Sequence, residues 1–278
     1  MENSKEKMTS KSLGMYFDPK VARNFAEREQ NEKNFKVAEV VDDVIMSEFN
    51  EADHPIKSAE LGGGAHPDRY HKLFKKLLKE PKGHIDWVDI SPHMLELAKE
   101  YIDTDEYRKR EEVISFIEND IIGYLESLKD RNLDVAIMKY TLEDMRDLDE
   151  LFELLSEKLK IGGRLVSTLA TGSNQLKSIS TNARFLYNGE EFPENETRTL
   201  NDGDYFTVKF FKESNNPDAG YLAGAETIKY YHSLEKIKKL AQEYGLEVFA
   251  GDWKELLGRK GEEKEMDQNI LVLRRVKE

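Results

Sequence analysis

The chain has 278 residues, enough to bury a proper core as one large domain or two small ones. Cysteine is absent, which excludes disulfides, thiolate nucleophiles and Cys-ligated zinc or iron–sulfur centres. With 55 acids against 42 bases the formal charge is -13, a field that disfavours nucleic acid and acidic membranes as partners. The polar first residues predict no signal peptide, no apolar run reaches membrane-spanning length, and a cytoplasmic location is expected.

Residues 1 to about 14 are polar and predicted to be loosely attached. Val37, Val40, Val41, Val44, Ile45 and Phe49 follow helical spacing, and His54-Pro55 breaks that helix. Ile56 to Leu61 reads as a strand, followed by a helix from Pro67 to Lys79 that carries Tyr70, Leu73, Phe74, Leu77 and Leu78 on one face. Ile85 to Val88 is a second strand, and Ser91-Pro92 opens a helix with Met94, Leu97, Ala98 and Tyr101. Val113 to Ile117, Leu133 to Met138 and Arg164 to Leu169 are three more strands. The helix Ile121 to Leu128 lies between the first two, and one bearing Leu148, Leu151, Phe152, Leu155 and Leu159, stopped by Gly162-Gly163, lies before the third.

Strand-helix units recurring from 56 to 169 predict right-handed crossovers in a parallel sheet. From Gly172 to about Ser233 the pattern changes to turn signals and strands, Tyr205 to Phe211 and Thr227 to Tyr231 among them, so an inserted β-rich cap is expected. A helix with Leu234, Ile237, Leu240, Ala241 and Tyr244 ends at Gly245, and Leu246 to Phe249 and Ile270 to Val276 supply the last strands around a charged loop, Gly258 to Asp267. The predicted fold is α/β, a Rossmann-like doubly wound, mostly parallel seven-stranded sheet with an antiparallel last strand. The predicted organisation is an N-terminal segment or lid over 1–34, a binding domain over 35–171 and 233–278, and a cap over 172–232.

Such sheets bind ligands beyond the carboxyl ends of their strands, where Gly62, Asp89, Asp120 and Lys139 fall. The turn Glu60-Leu61-Gly62-Gly63-Gly64-Ala65 lacks the third glycine of a dinucleotide site: that place holds Pro67, and Asp68 in the next turn would repel a pyrophosphate. No Gly-Lys-Ser or Gly-Lys-Thr makes it a P-loop.

Glu60-Leu61-Gly62-Gly63-Gly64 resembles the first motif of the class I S-adenosylmethionine-dependent methyltransferases. Asp89-Ile90-Ser91-Pro92-His93-Met94-Leu95 is similar to that family's second-strand segment, Asn119-Asp120-Ile121 to its adenine segment, and Gly162-Gly163 to the pair before its fifth strand. Four motifs in order over roughly 35 to 170 are far more specific than one glycine turn. Two departures stand out: His66 replaces the third glycine, and the interval from Glu60 to Asp89 is longer than the family's usual one.

The resemblance implies S-adenosylmethionine as cofactor, with Asp89 on the ribose hydroxyls, Asp120 and Ile121 at the adenine, and Met94 packing on it. Glu60, Gly62, Gly63, Gly64, Ile90 and Lys139 would complete the cofactor site. Acids suit a sulfonium ligand without phosphates. Each has a structural alternative: Glu60 or Asp120 as a helix or loop cap, Met94 as core. The resemblance also implies an N-terminal segment over the cofactor, making Tyr16 a catalytic-site candidate through cation–π attraction or else a hydrophobic anchor. His232, after Tyr230-Tyr231, is a candidate base, although strand alternation places Tyr230 and His232 on one face and Tyr231 on the other.

No metal is expected, although His66, Asp68 and His71 could share a helix surface. The implied reaction is direct displacement of the methyl group onto nitrogen or oxygen of a small molecule. Lys139-Tyr140-Thr141-Leu142 lacks the paired prolines of members that methylate DNA bases or glutamine. Cap aromatics Phe185, Tyr187, Tyr205, Phe206, Phe210 and Phe211 could line an acceptor pocket, pair cap strands or support a homodimer. An NAD(P)-linked reductase and a non-catalytic S-adenosylmethionine-binding regulator are the alternative classes.

Overall fold

The computed structural model describes residues 16–49, 52–104, 106–169, 174–214, 216–252, 257 and 269–276. The sequence expectations for residues 1 to 14 and for the charged loop 258–267 lie outside them. Two helices come first, α1 (Pro19–Glu29) and α2 (Glu32–Phe49). Asp18 caps α1 by accepting from the N–H groups of Lys20 and Val21. The α2 stripe Val37, Val41 and Ile45 is fully buried.

The alternating unit then runs β1 (Lys57–Leu61), α3 (His71–Leu77), β2 (His84–Asp89), α4 (Pro92–Ile102), β3 (Ile114–Glu118), α5 (Ile121–Ser127), β4 (Leu133–Met138), α6 (Asp149–Lys158) and β5 (Leu159–Leu169). An insertion follows: β6 (Gln175–Lys177), β7 (Ala183–Tyr187), β8 (Thr197–Thr199), β9 (Tyr205–Glu213) and β10 (Asn216–Tyr230). The chain closes with α7 (Leu234–Glu243), β11 (Leu246–Asp252) and β12 (Asn269–Arg275).

The main sheet has the order β11-β12-β5-β4-β1-β2-β3. β1 to β5 pair in parallel, whereas β12 runs antiparallel between β5 and β11. Helices cover both faces, so the central strands read as continuous apolar runs; every residue of β4 is buried. One face packs Val41, Ile45, Leu73 and Phe74 on Trp87, Ile137 and Val166. The other packs Tyr124, Phe152, Leu155 and Ile237 on Leu61, Met138 and Leu165. None of the described helices is long and apolar enough to cross a membrane.

The insertion forms a three-stranded sheet, β10-β9-β7, and a ribbon of β6 with β8. Phe206, Phe192 and Tyr231 fill its own small core, with Phe185 against Phe206 at 6.0 Å between ring centroids. Its aromatics therefore pair strands, while Phe210 meets Phe25 of α1 at 4.9 Å. Arg28 of α1 donates to the Phe211 and Asn182 carbonyls at 2.7 Å each. The N-terminal helix is thus held between the insertion and the sheet domain.

Two sequence expectations are corrected. The predicted helix from Pro67 to Lys79 is a 3-10 turn, Pro67–Arg69, and then α3, separated by Tyr70 at φ -94, ψ 81. The Asp42 carboxylate restarts it by accepting from the N–H groups of Lys72 and Leu73, which frees Tyr70 to turn into the core. Gly162-Gly163 does not stop α6, which ends at Lys158; the pair lies inside β5, where the β4–β5 register shifts. A Cβ on Gly163 would meet the Lys160 and Leu133 carbonyls at 2.8 and 2.9 Å, so only glycine fits there.

Candidate functional site

The glycine turn leaves β1 and folds at once onto β2. Gly62 and Gly63 both donate to the Val88 carbonyl at 2.9 Å. Gly62 has φ +77, and a Cβ on Gly63 would lie 2.4 Å from Trp87 Nε1. That indole donates to the Gly64 carbonyl at 2.9 Å, so the next strand fixes the turn from below. Gly64, at φ +62, has open space where a Cβ would be.

Asp89 ends β2 and is buried. Gly64 N–H donates to its Oδ2 and Ser91 N–H to its Oδ1, both at 2.8 Å. Burial pushes its carboxyl up to about 6, opposed by these backbone donors. Ile90 follows half-buried, and Ser91 caps α4 by accepting from Met94 N–H.

Glu60 is completely buried, and neither carboxylate oxygen has a hydrogen-bond partner. Burial raises its pKa; Lys139 and Tyr70 pull it back without reaching hydrogen-bond geometry. Glu60 and Ile137 are register partners on β1 and β4, so Lys139, two residues further, projects from the same sheet face. Burial and the Arg69 charge depress the Lys139 amine, which lies 5.7 Å over the Tyr70 ring. Arg69 donates to the Glu29 carbonyl at 2.5 Å, and its Nε has no partner. A buried acid with unsatisfied oxygens therefore faces Lys139, which in turn feels the Arg69 charge, beside the glycine turn.

The other predicted positions are occupied as follows. Asp120 is exposed and caps α5, accepting from Gly123 N–H at 2.8 Å, its structural alternative. Ile121 packs on the α5–α6 core. Met94 is buried against Ala22 and Ala26 of α1, Ala65 and Leu97. His66 Nε2 bonds the Ala26 carbonyl at 2.9 Å, its ring lies 4.6 Å from that of Tyr101, and Nδ1 is 3.4 Å from Asp68. His71 turns instead to Arg110. Among the described residues no three His, Asp or Glu are grouped as metal ligands. Tyr16 accepts from Ser91 Oγ through its carbonyl, and its hydroxyl is raised well above its ordinary pKa by burial and by the Asp144 and Asp89 charges.

Beyond β4, Tyr140 adopts φ +62, a strained conformation for a tyrosine. Its N–H donates to Thr168 Oγ1 at 2.8 Å, and its carbonyl accepts from Lys229 Nζ of β10 at 2.6 Å. Lys229 also pairs with Asp144 at 2.6 Å. His232 is buried and its Nε2 bonds the Met145 carbonyl at 2.7 Å, so that nitrogen carries the proton while Nδ1 is sealed without a partner. Burial lowers its pKa. The expectation of a base at His232 is replaced by a strut between insertion and β4 loop, because neither nitrogen is open to an acceptor. Asp144 and Lys229 were not singled out in the sequence, and Tyr140 only as part of Lys139-Tyr140-Thr141-Leu142; they come together only once β10 lies across the end of β4.

A sheet of this order, with a glycine turn after β1 and an acid at the end of β2, defines a Rossmann-like fold, of the kind that binds ligands at the carboxyl edge of its sheet. A methyltransferase-domain family matches residues 68–237. Over 139 residues the chain is 27% identical to a protein-L-isoaspartate O-methyltransferase of Methanothrix thermoacetophila, a match over 50% of this chain and 59% of that relative's length.

The fold is similar to that of the CurJ carbon methyltransferase, at 15% identity and TM-score 0.57, covering 96% of this chain and 61% of that one. Magnesium protoporphyrin IX methyltransferase of Synechocystis PCC 6803 matches at 13% identity and TM-score 0.53, over 95% of both chains. Phosphoethanolamine N-methyltransferase 2 of Haemonchus contortus matches at 13% identity and TM-score 0.54, over 96% of this chain and 60% of that one. At these identities the structural likeness is one of fold. The chain belongs to the methyltransferase-domain family, among the class I S-adenosylmethionine-dependent methyltransferases.

Proposed function

We propose that the chain transfers a methyl group from S-adenosylmethionine to nitrogen or oxygen of a small-molecule acceptor. The observation that carries the cofactor assignment is Glu60, buried with both oxygens unpartnered. A carboxylate in that state costs several kcal/mol unless a cation joins it. Bound there, the cofactor supplies a methyl group activated on a sulfonium ion, and its amino-acid end is a zwitterion. Glu60 takes the ammonium of that end; Lys139 and Arg69, whose Nε is unpartnered, take its carboxylate.

The remaining roles follow from chemistry and place. Asp89 accepts from the two ribose hydroxyls, since each of its oxygens already bonds one backbone N–H and retains a lone pair. Gly62, Gly63 and Gly64 permit close backbone approach. Asp120 has one oxygen left beyond its cap for the adenine amine, and Ile90, Met94 and Ile121 provide apolar walls. Tyr16 and α1 exclude water above the site, so the residues act mainly by holding two reactants close in a dry pocket.

We assign acceptor recognition to the insertion, residues 172–232, and treat 1–34 as the covering segment over a domain built from 35–171 and 233–278. A pyrophosphate cofactor is disfavoured by Asp68 and by Pro67 at the third-glycine position of the dinucleotide motif. Transfer of labelled methyl groups from S-adenosylmethionine to a small-molecule metabolite fraction tests the activity. Labelled product that depends on the protein supports it; tight cofactor binding with no transfer to any acceptor pool would favour a regulatory binder instead.

A further inference from the structure

The junction of β10, the β4 loop and the N-terminal segment holds a second group of buried polar atoms that the cofactor does not use. Thr227 on β10 is 2% exposed, and its Oγ1 has no hydrogen-bond partner. It lies beside the Asp144 carboxylate and the Tyr16 hydroxyl without reaching hydrogen-bond geometry with either. Asp144 is itself largely buried, 17% exposed, and held by Lys229 at 2.6 Å. Lys229 in turn anchors the carbonyl of Tyr140 at 2.6 Å, across a residue kept at φ +62.

Two features argue that this is more than a structural tie. A buried hydroxyl left unpaired is destabilising, and a ligand group would recover that cost. A strained, doubly anchored backbone at a strand's carboxyl end is also a common mark of positions kept for function. The same junction approaches the proposed ribose position through Tyr16, whose carbonyl accepts from Ser91 Oγ, two residues past Asp89, and whose hydroxyl feels the charges of Asp144 and Asp89.

We propose that Asp144, with Thr227 beside it, forms the acceptor subsite, and that it takes an amine or alcohol through its N–H or O–H. The inference rests on the cofactor reading above and names the substrate class for it. Asp144 accepts a hydrogen bond from the acceptor's N–H or O–H and orients the lone pair of that atom toward the methyl carbon. As the new nitrogen–carbon or oxygen–carbon bond forms, the carbon–sulfur bond breaks with its electron pair left on sulfur, and the acceptor's proton passes to Asp144. Thr227 Oγ1 supplies a second polar contact. Lys229 is a positioning residue: it holds Asp144 and the Tyr140 carbonyl, and its charge is consumed by both. Acceptors bearing a carboxylate or phosphate at this point are rejected, because they would face the Asp144 and Asp89 carboxylates.

The test is a panel of small aliphatic and aromatic amines, alcohols, carboxylic acids and phosphate monoesters, screened by saturation-transfer NMR with and without saturating S-adenosylhomocysteine. Amines or alcohols should bind the wild type, and acids should not. The Asp144→Asn/Lys229→Gln double variant, which removes both charges of the buried pair together, should weaken that binding by at least about tenfold, as a lost charge-assisted hydrogen bond implies. Thr227→Val should weaken it less. Equal binding by wild type and double variant, preference for acids, or no binding by any amine or alcohol overturns the proposal. S-adenosylhomocysteine titrated into the same samples separates the two readings: its failure to bind removes the cofactor assignment, while the panel without it still judges Asp144.

Discussion

Gly64 donates its backbone N–H to Asp89 Oδ2 at 2.8 Å, closing the glycine turn on the acid of the next strand. The acid that would read the ribose therefore also sets the shape of the turn that approaches the rest of the ligand. Replacing Asp89 by Ala removes two acceptors for the hydroxyls and releases Gly64. Hydrogen bonds to a charged group contribute about 1.5–3 kcal/mol each, so affinity for S-adenosylhomocysteine should fall by roughly 100-fold or more. Calorimetric titration checks this, and unchanged affinity contradicts the ribose assignment.

The same residue predicts a pH dependence. Its carboxyl stands at about 6 in the folded chain, above the ordinary carboxylate value. A raised acid contributes stability that is fully present below its unfolded pKa and is lost as pH rises through about 6. Ligand binding runs the other way, because only the ionised form accepts from both hydroxyls. Affinity for S-adenosylhomocysteine should therefore drop by up to about tenfold per unit as pH falls below 6. Asp89→Asn should lessen that slope and leave the part due to Glu60, whose carboxyl burial holds at about 7, as titrations between pH 5 and 8 would show.

Two adjacent glycines should respond differently to alanine. At Gly63 the new methyl would press on Trp87, which is fully buried and bonded to Gly64, so something in the core must move. We expect a loss of about 1–3 kcal/mol in chemical denaturation. At Gly64 the space is open and only its φ of +62 is penalised, for about 1–2 kcal/mol, with a larger effect on ligand affinity than on folding. A Gly63→Ala protein as stable as wild type would contradict the packing.

His66 stands where the family places a third glycine, and it ties the turn to α1 through the Ala26 carbonyl. His66→Gly should remove that tie and the stacking on Tyr101. Amide exchange over residues 19–29 is expected to quicken, and global stability to fall by about 1–2 kcal/mol. Unaltered exchange in α1 would show that other contacts hold the helix alone.

The frame of the molecule was legible because its strands, from Ile56 onward, are apolar runs separated by strong turn and cap signals such as Ser91-Pro92. Asp89 and the glycine turn were legible for the same reason: they sit at fixed offsets from strand ends. The break at Tyr70 was not, since it depends on Asp42, an acid from α2 that caps α3 across the fold. The β5 position of Gly162-Gly163 likewise depends on the Leu133 carbonyl of β4. Asp144, Thr227 and Lys229 carry no local pattern, because two stretches of chain far apart in sequence, the loop after β4 and β10, bring them together. His232 looked like a base in sequence; burial and the Met145 carbonyl make it a strut.

Calorimetric titration of the chain with S-adenosylhomocysteine, with NAD and with NADP tests the central claim most directly. The account predicts one S-adenosylhomocysteine bound per chain, weakened about tenfold or more in Glu60→Gln, and no binding of either dinucleotide. Binding of NAD or NADP, or no binding of S-adenosylhomocysteine, would contradict it.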